Sequence, residues 1–308
     1  MTNFNNSRKF GVEIEFPTQG AGLYPTAAET NRVVNNLLDA GVPAHSASYG
    51  QHLRTVAPVG WEVTMDGTVG FEIVSPPIKG QAAKEQIEAV CRVLNEMGYK
   101  PSLAGGLHVH HGAEDLNAKQ LKSVAMTYAN HQTLINQFVA KSRRTGNQWC
   151  KLINYTSTAN YNEAELDCEP RSNGYTSWDK YQTVNLNAYV LHGTIEFRQH
   201  QGTINAAKIW NWVVFTQMFV ERALSARQMP APVGSKPITP IKFLTQALGG
   251  ASDDITKEAI RFQQTRRNAF IKAAGGAMAK ENGVIMRQRR VAGSENYQSV
   301  RDGYQSVL

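Results

Sequence analysis

The chain has 308 residues, an apolar fraction of 42% and a net charge of +7, values that fit a globular protein with a sizeable core. Its most apolar stretch, residues 212–220, is too short to span a membrane, and its first nine residues are polar, so we expect neither a membrane segment nor a signal peptide. The three cysteines, Cys91, Cys150 and Cys168, lie far apart, which argues against a disulfide framework and favours a cytoplasmic protein with reduced thiols.

The positive charge is concentrated at the C-terminal end. Residues 257–308 contain ten Lys or Arg against four Asp or Glu, whereas the rest of the chain is nearly balanced. Arg266 and Arg267, with a later group of three arginines, are candidates for contact with nucleic acid. A solvated helix face is the favoured alternative, because no stacking aromatic residues alternate with these arginines.

The first predicted strand, residues 9–16, alternates three apolar side chains with Glu13 and Glu15. The two carboxylates therefore share one face of the strand, about 7 Å apart by strand geometry. Residues 26–40 predict a helix, with Thr26 as its N-cap residue. Because Glu-x-Glu also occurs in ordinary half-exposed strands, this segment alone does not indicate a site.

The next segment, residues 59–75, predicts a β-hairpin that turns at Asp66–Gly67. Its returning strand places Glu72 between Phe71 and Ile73, so a third carboxylate lies on a polar strand face. A helix is predicted over residues 84–97.

Residues 100–112 contain two glycines, Gly105 and Gly106, followed by a strand in which His108 and His110 alternate with apolar residues. Such glycines let backbone amides approach a phosphate or a neighbouring strand closely. Two histidines on one strand face fit contact with a metal or a nucleotide about as well as they fit an ordinary polar surface.

A long helix is predicted over residues 116–142, and it delivers Arg143 and Arg144 to its C-terminal end. These arginines either complement the helix dipole or bind phosphate. The long polar segment 154–180 is interpreted either as a lid over the site or as a plain connection.

A strand over residues 183–189, which carries Asn185 and Asn187 on one face, is predicted to form a hairpin with residues 194–203. In the second strand, Glu196, Arg198 and His200 share one face. An acid, a cation and an imidazole on one face are poorly suited to a core and well suited to holding metal and phosphate. Because five predicted strands offer polar groups to one face, we expect these groups to converge on a shared concave sheet.

The domain organisation follows from these elements. Residues 1–229 predict one catalytic α/β domain that ends with an apolar helix over 205–226, and residues 230–240 form a proline-spaced linker. Residues 241–308 predict a basic helical extension, with two short helices up to residue 274 and a flexible tail beyond them.

Taken together, five motifs resemble the amidoligase family, which belongs to the carboxylate–amine ligases of the glutamine synthetase and glutamate–cysteine ligase group. The resemblance covers roughly residues 9–220 and depends on the order and spacing of the motifs. They are Gly11-Val12-Glu13-Ile14-Glu15, Asp66-Gly67 leading into Glu72-Ile73-Val74-Ser75-Pro76-Pro77, Gly106-Leu107-His108-Val109-His110, Arg143-Arg144, and Thr194-Ile195-Glu196-Phe197-Arg198.

The resemblance implies an α+β, two-layer fold: a curved antiparallel sheet of glutamine synthetase-like type, with helices on its outer face and ATP and two or more Mg²⁺ or Mn²⁺ ions on its concave face. It implies phosphate neutralisation by Arg198 and contact of His110 with metal or nucleotide. Lys100 precedes the glycines as in the glutamine synthetase nucleotide signature, whose later serine is absent here. The implied metal ligands are Glu13, Glu15, Glu72, His108 and Glu196, and the other implied nucleotide or catalytic residues are Arg143, Arg144 and Asn185.

The implied reaction phosphorylates a substrate carboxylate with ATP and then lets an amine displace the phosphate to leave an amide. Hard divalent ions prefer carboxylate oxygens, and phosphoryl transfer depends on charge neutralisation, which agrees with these residue types. Glu72 or an acid from residues 154–180 is the candidate proton acceptor. The carboxylate, the amine and the oligomeric state stay open at this point.

Two other functions fit parts of the sequence. A Zn²⁺ hydrolase can use histidine and glutamate ligands, although the number of carboxylates and arginines suits phosphate better. A nucleic-acid-binding or nucleic-acid-modifying protein can use the basic C-terminal region, and steep salt dependence of binding is its test.

Overall fold

The computed structural model describes residues 3–20, 22–48, 59–144, 146–153, 163–172, 178–225, 243, 252–273, 288–290 and 297–299. The strands are β1 (Phe10–Phe16), β2 (Ala44–Ser46), β3 (Trp61–Asp66), β4 (Gly70–Val74), β5 (Gly106–Gly112), β6 (Val184–Asn185), β7 (Thr194–Gln201), β8 (Gln288–Arg290) and β9 (Tyr297–Ser299). The helices are α1 (Ala27–Asp39), α2 (Gly80–Glu96), α3 (Ala118–Ile135), α4 (Asn187–His192), α5 (Ala206–Ser225) and α6 (Asp254–Ala273).

Seven strands form one sheet in the order β2-β3-β4-β1-β5-β7-β6. All neighbouring strands in it are antiparallel except β2 and β3, which pair in parallel at one edge. The predicted α+β class with a curved, mainly antiparallel sheet is therefore confirmed. The two short strands β8 and β9 pair with each other in a separate antiparallel sheet.

The core lies between one face of the sheet and the helices. Strand alternation turns the apolar residues of β1, β4, β5 and β7 to this face, where they are almost fully buried with residues of α2, α3 and α5. The ring of Phe197 packs between Tyr128 of α3 and Phe219 of α5. The opposite face of the sheet is thereby left for the polar residues of the same strands.

The helices begin and end largely where the sequence predicts. Thr26 caps α1, its side chain accepting a hydrogen bond from the Glu29 amide, and Asn117 forms a capping box with Gln120 at α3. The helix predicted over residues 116–142 is too long, because α3 ends at Ile135. Turns follow, and Arg143 lies in a separate 3₁₀ turn, Lys141–Arg143.

The connection between β6 and β7 differs from the predicted tight hairpin. The two strands do pair antiparallel, but α4 occupies residues 187–192 between them and ends at Gly193, whose φ is +68°. That left-handed conformation is open to glycine at little cost and allows the helix to end directly before β7. Asn187 therefore belongs to a helix and not to the predicted strand.

A β-bulge in β7 overturns the prediction that His200 shares a face with Glu196 and Arg198. Leu107 of β5 pairs with His200, whereas Val109 pairs with Phe197, so three steps along β7 oppose two along β5. The extra residue reverses the alternation of side chains after Arg198. His200 is consequently fully buried on the helix side, where its ring lies 5.1 Å from that of Trp212.

The C-terminal extension supplies one long helix, α6, which packs against α5. Its Arg266 is buried and contacts His200, and Arg267 donates a hydrogen bond to Gln137. Two of the five arginines considered for nucleic acid thus make contacts inside the fold. The linker 230–240, most of the other helix predicted before α6 and most of the tail lie outside the described residues, so the domain boundaries stay a prediction.

None of the helices in the described part of the chain is long and apolar enough to cross a membrane.

A buried cation ties the N-terminal segment to the rest of the domain. Arg8, with a side chain only 4% exposed, forms ion pairs with Glu221 of α5 and with Asp115, 2.7 Å away, and donates to the Gly112 carbonyl. Burial opposes the charge on Arg8, but its hydrogen bonds to Asp115 and Glu221 raise its pKa above the ordinary arginine value. The sequence offered no signal for this cluster.

We expect Arg8→Met to lower the free energy of unfolding by about 3 kcal/mol, because it leaves the carboxylate of Glu221 without its cation. Urea unfolding measures this loss, and Arg92→Met on the exposed side of α2 is the control. Burial raises the pKa of Asp115, but Arg8 outweighs it and leaves the pKa below the ordinary value. The difference in free energy of unfolding between wild type and variant should therefore be complete above about pH 4. It should shrink as the pH falls through the pKa of Asp115 in the folded protein. An equal stability of wild type and variant would contradict this role.

Candidate active site

The polar residues of five strands meet on the face of the sheet that is turned away from the helices. Strand register places Glu15 opposite Glu72, Glu13 opposite His108, and His110 opposite Glu196. Asn185 of β6 in turn lies opposite Glu196. The convergence that the sequence predicted is therefore present, and it depends on neighbouring antiparallel strands keeping the same side-chain alternation.

Glu13 lies between His108 and His110, two of the three histidines of β5. Its Oε2 is 2.9 Å from Nδ1 of His108, and its Oε1 is 3.1 Å from Nε2 of His110. The other ring nitrogen of His110, Nδ1, lies 2.9 Å from the hydroxyl of Thr194, which orients the ring. Nε2 of His110 is buried and has no hydrogen bond of good geometry among the described residues, so it stays available as a ligand atom.

Glu196 connects the histidines to the arginine of β7. Its Oε1 pairs with Arg198 and lies 3.5 Å from His108 Nδ1 and 3.8 Å from His110 Nε2. Its Oε2 accepts a hydrogen bond of 2.6 Å from the side-chain amide of Asn185. Arg198 also donates to the Trp149 carbonyl, so both ends of this ion pair are fixed in position.

Glu15 and Glu72 complete the acidic part of the site, which we call the carboxylate–histidine cluster: Glu13, Glu15, Glu72, His108, His110 and Glu196. Glu15 accepts a 2.6 Å hydrogen bond from the Gly106 amide, and its other oxygen lies 3.4 Å from His108 Nε2. A Cβ on Gly106 would meet His108 at 2.9 Å, which explains the glycine. Of the two roles that the sequence allowed for this glycine pair, close approach to a neighbouring strand is the one observed.

The charges in the cluster act on one another strongly. Burial raises the pKa of Glu13, but the charge of His110 and hydrogen bonds from both histidines override it and bring the pKa well below the ordinary value. Burial also raises the pKa of Glu196, but the charges of Arg198 and the two histidines outweigh burial and lower the pKa below the ordinary value. Both groups are therefore carboxylates at neutral pH.

The pKa values of Glu72 and His110 are instead raised. Burial and the charges of Glu13 and Glu15 raise the pKa of Glu72 well above the ordinary value, because negative charges accumulate on this face. For His110, burial favours the neutral ring, but Glu13 and Glu196 outweigh it and raise the pKa. An excess of buried negative charge without enough cations is the electrostatic setting that divalent ions relieve.

Among the residues that the structure describes, two groups of side chains have the spacing of metal ligands. Glu13, His110 and Glu196 form one group, and Glu13, Glu72 and His108 form the other, each offering ligand atoms within 4.8 Å of one another. Four carboxylates and two histidines favour hard ions such as Mg²⁺ or Mn²⁺ over a structural zinc site, since zinc sites rely more on cysteine and histidine. The residues present therefore fit the implied metal ions.

Three further predicted residues, Arg143, Arg144 and Lys100, are not members of this cluster. Arg143 is buried, donates to the Ala104 carbonyl and has a buried Nε without a hydrogen bond among the described residues. Arg144 donates to the Val139 carbonyl and lies over the ring of Phe270. Lys100 is exposed. Their contact with nucleotide stays a prediction, and most of the proposed lid lies outside the described residues.

Comparison with known proteins assigns the chain to a family. The model of the family described as "Putative amidoligase enzyme" matches residues 6–220. The chain belongs to this amidoligase family. All the residues of the carboxylate–histidine cluster fall inside the matched region, and the family supports an enzyme that forms amide bonds between carboxylates and amines.

Solved structures with a similar fold include the GmaS/ADP complex and the complex between the prokaryotic ubiquitin-like protein Pup and its ligase PafA. The first has a TM-score of 0.43 and 13% identity, over 89% of this chain and 70% of that chain. The second has a TM-score of 0.40 and 10% identity, over 89% of this chain and 66% of that chain. Curated proteins gave no match. At these levels of similarity, nothing about the substrate of this amidoligase follows.

Proposed function

We propose that the protein is an ATP-dependent carboxylate–amine ligase that forms an amide through an acyl phosphate, with two or more Mg²⁺ or Mn²⁺ ions. The observation that carries the proposal is the pair of ligand groups that share Glu13, with Arg198 fixed beside Glu196. This arrangement joins acidic ligands for metal to a fixed cation for phosphate. The members of these two groups, Glu13, Glu72, Glu196, His108 and His110, would hold divalent ions, which would supply positive charge to neutralise phosphate.

Each step assigns a task to residues of this chain. In the first, the bond between the γ-phosphorus and the bridging oxygen of ATP breaks, a substrate carboxylate oxygen bonds to the phosphorus, and ADP leaves. Arg198 would stabilise the charge on the transferred oxygens, because it is buried and held by Glu196 and the Trp149 carbonyl. In the second, the amine nitrogen attacks the carbonyl carbon, and phosphate leaves with the bonding electrons.

The attacking amine must lose a proton. Glu72 is a better candidate to take it than Glu13 or Glu196. Its pKa is raised well above the ordinary value by burial and by neighbouring carboxylates, whereas the pKa values of Glu13 and Glu196 are lowered. A carboxylate with a raised pKa holds the transferred proton more firmly and is thus the stronger base. Glu72 also belongs to the second group of metal ligands, so the two roles compete for the same oxygens.

The two alternatives receive less support. A Zn²⁺ hydrolase would leave most of the carboxylates and Arg198 without a task. A nucleic-acid-binding role is less well supported because Arg266 contacts His200 and Arg267 contacts Gln137. The family match gives no support for binding to nucleic acid.

Hydroxylamine provides a test that does not require the natural amine, because it traps an acyl phosphate as a hydroxamate. We expect the protein with ATP, Mg²⁺, hydroxylamine and a panel of carboxylates to give hydroxamate and ADP only when an accepted carboxylate is present. Release of AMP and pyrophosphate would contradict the acyl-phosphate route. Amide hydrolysis that needs Zn²⁺ but no ATP would replace the ligase by a hydrolase.

A further inference from the structure

The helix α6 lies outside the region that the family model matches, yet it contacts the segment that carries Arg143 and Arg144. The family match ends at residue 220, whereas α6 covers Asp254–Ala273. We call residues 141–144, which include both arginines, the arginine turn. One contact of α6 reaches this turn, a second reaches the residues before it, and a third reaches β7, which holds the turn in place.

The arginine turn lies beside the carboxylate–histidine cluster. Nη2 of Arg143 donates a 2.7 Å hydrogen bond to the carbonyl of Ala104, which precedes β5. A Cβ on Gly106 would meet this nitrogen at 3.4 Å and Oε2 of Glu15 at 3.2 Å, so the guanidinium and the carboxylate lie next to the same glycine. This position places the positive charge of the turn at the border of the acidic cluster, where the phosphates of a nucleotide would require it.

Two glutamines of β7 fix the backbone of the turn. Nε2 of Gln199, a fully buried residue, donates to the Arg143 carbonyl at 3.2 Å and to Oδ1 of Asn136 at 2.6 Å. Oε1 of Gln201 accepts a hydrogen bond of 3.4 Å from the Ala140 amide. The position of the arginine turn therefore depends on the conformation of β7 at its bulge.

Arg266 of α6 contacts the bulge through His200, which lies between the two glutamines. Nδ1 of His200 is 2.7 Å from the Gln201 carbonyl and therefore carries the ring proton, which leaves Nε2 to accept from Nη1 of Arg266 at 2.5 Å. Burial and the charge of Arg266 bring the pKa of His200 well below the ordinary value, so the ring is neutral, as these contacts require. The helix thereby fixes the part of β7 that holds the turn.

Two further side chains of α6 contact the segment that contains the turn. The ring of Phe270 has its centroid 5.7 Å from Cζ of Arg144 and 5.6 Å from Cζ of Arg266. Nε of Arg267 donates a 2.8 Å hydrogen bond to Oε1 of Gln137. Attraction between a guanidinium and an aromatic face restricts the position of the cation. Both ends of the segment 137–144 are therefore held by the same helix.

Arg266 is a costly residue for packing alone. It is only 8% exposed, its Nη2 makes no hydrogen bond within the described part of the chain, and no carboxylate of that part pairs with it. Burial lowers its pKa to about 10. A buried cation without a counter-charge opposes folding, and an apolar side chain of similar size would fill the space at a lower cost. A charge at this position therefore points to a task beyond packing.

We propose that Arg266 and Phe270 are positioning residues that hold the arginine turn in place for the phosphates of the nucleotide, an inference that rests on the proposed function. The C-terminal helix then contributes to nucleotide binding although neither side chain touches the nucleotide. Loss of either contact should weaken binding of ATP and leave the carboxylate–histidine cluster unchanged.

Phe270→Leu tests the contact with Arg144. We expect it to lower the affinity for ATP and Mg²⁺ by about 10-fold in calorimetry without a carboxylate, and to raise KM for ATP without changing KM for the carboxylate in the hydroxamate assay. Phe270→Tyr keeps the aromatic face and should restore most of the affinity. Phe262→Leu is the matched control, because its ring is half-buried on the same helix and has no guanidinium over it among the described residues. Equal losses of affinity and Tm in Phe262→Leu and Phe270→Leu would overturn the inference.

A double-mutant cycle shows whether Phe270 acts through Arg144. The variant that combines Phe270→Leu with Arg144→Met should bind ATP no more weakly than Arg144→Met alone, because the ring then has no arginine of the turn to hold. Additive losses of affinity would contradict a role of Phe270 in positioning Arg144.

Arg266→Met separates function from stability. We expect its Tm to be no lower than that of the wild type, since a buried charge is removed, while its affinity for ATP and Mg²⁺ falls by about 10-fold. Arg261→Met, on the exposed side of the same helix, should change neither quantity. A lower Tm or an unchanged affinity for ATP in Arg266→Met would assign Arg266 to packing.

The outcomes also separate this inference from the proposed function. Failure of every carboxylate to give hydroxamate would contradict the ligase proposal, and the calorimetric affinities for ATP would still decide the role of α6. Hydroxamate formation with wild-type affinity for ATP in both Phe270→Leu and Arg266→Met would overturn this inference and leave the ligase proposal standing. A wild-type protein that binds no ATP in the presence of Mg²⁺ would contradict both.

Discussion

Glu196→Gln is expected to lower the affinity for ATP in the presence of Mn²⁺ by about 100-fold or more, because it removes a charged ligand from the first of the two metal-binding groups. The substitution keeps the volume of the side chain and its ability to accept a hydrogen bond from Asn185. Isothermal calorimetry with ATP and Mn²⁺ measures the effect.

The control for this variant is Glu85→Gln, which removes one negative charge from the exposed side of α2. It should bind ATP and Mn²⁺ with the wild-type affinity. Circular dichroism and a thermal melt must show that Glu196→Gln is still folded, since Arg198 loses its ion-pair partner. A folded Glu196→Gln protein with wild-type affinity would remove Glu196 from the metal site.

The second large effect is expected for Arg198→Lys. We expect it to slow carboxylate-dependent release of ADP by about 10²- to 10³-fold, because a lysine cannot reproduce the forked donors that a guanidinium presents to phosphate oxygens. Binding of Mn²⁺ should change little, since Arg198 offers no ligand atom to a metal. Steady-state ADP release and hydroxamate formation provide the measurement.

An Arg92→Lys variant makes the same chemical change on the exposed side of α2 and should keep the wild-type rate. A rate loss that appears only in KM for ATP would assign Arg198 to nucleotide binding and not to the transferred phosphoryl group. An unchanged rate in Arg198→Lys would show that another residue neutralises the charge on the transferred phosphoryl group. Arg143, whose Nε makes no hydrogen bond within the described part of the chain, is then the next residue to test.

Much of the site was predictable because strand alternation is a local property. The spacing of Glu13 and Glu15, of His108 and His110, and of Glu196 and Arg198 depends only on residues two apart, and each pair has the shared face that the sequence predicts. Glu62 followed the same alternation. It lies between apolar residues, in a segment whose sequence predicts only one arm of a hairpin.

The failures came from features with no local signal. The β-bulge that turns His200 to the helix side arises where β7 accommodates β5, and the alternation in β7 alone does not reveal it. Similarly, Arg266 looks like a surface cation in sequence, since its burial against His200 depends on where α6 packs. The hydrogen bonds of Arg8 join residues more than 100 positions apart.

By itself, the sequence determined the polar faces of the strands, most of the helices and the family, because these follow from short-range periodicity and from motifs in a fixed order. Only the tertiary structure decided which strands are neighbours, and therefore that Glu13 lies between two histidines and that Glu196 is held by Asn185 and Arg198. Register between strands is set by packing of the whole core and not by any one segment. The shifted pKa values of Glu13, Glu72 and Glu196 follow from that packing, since burial and charge proximity exist only in the folded chain.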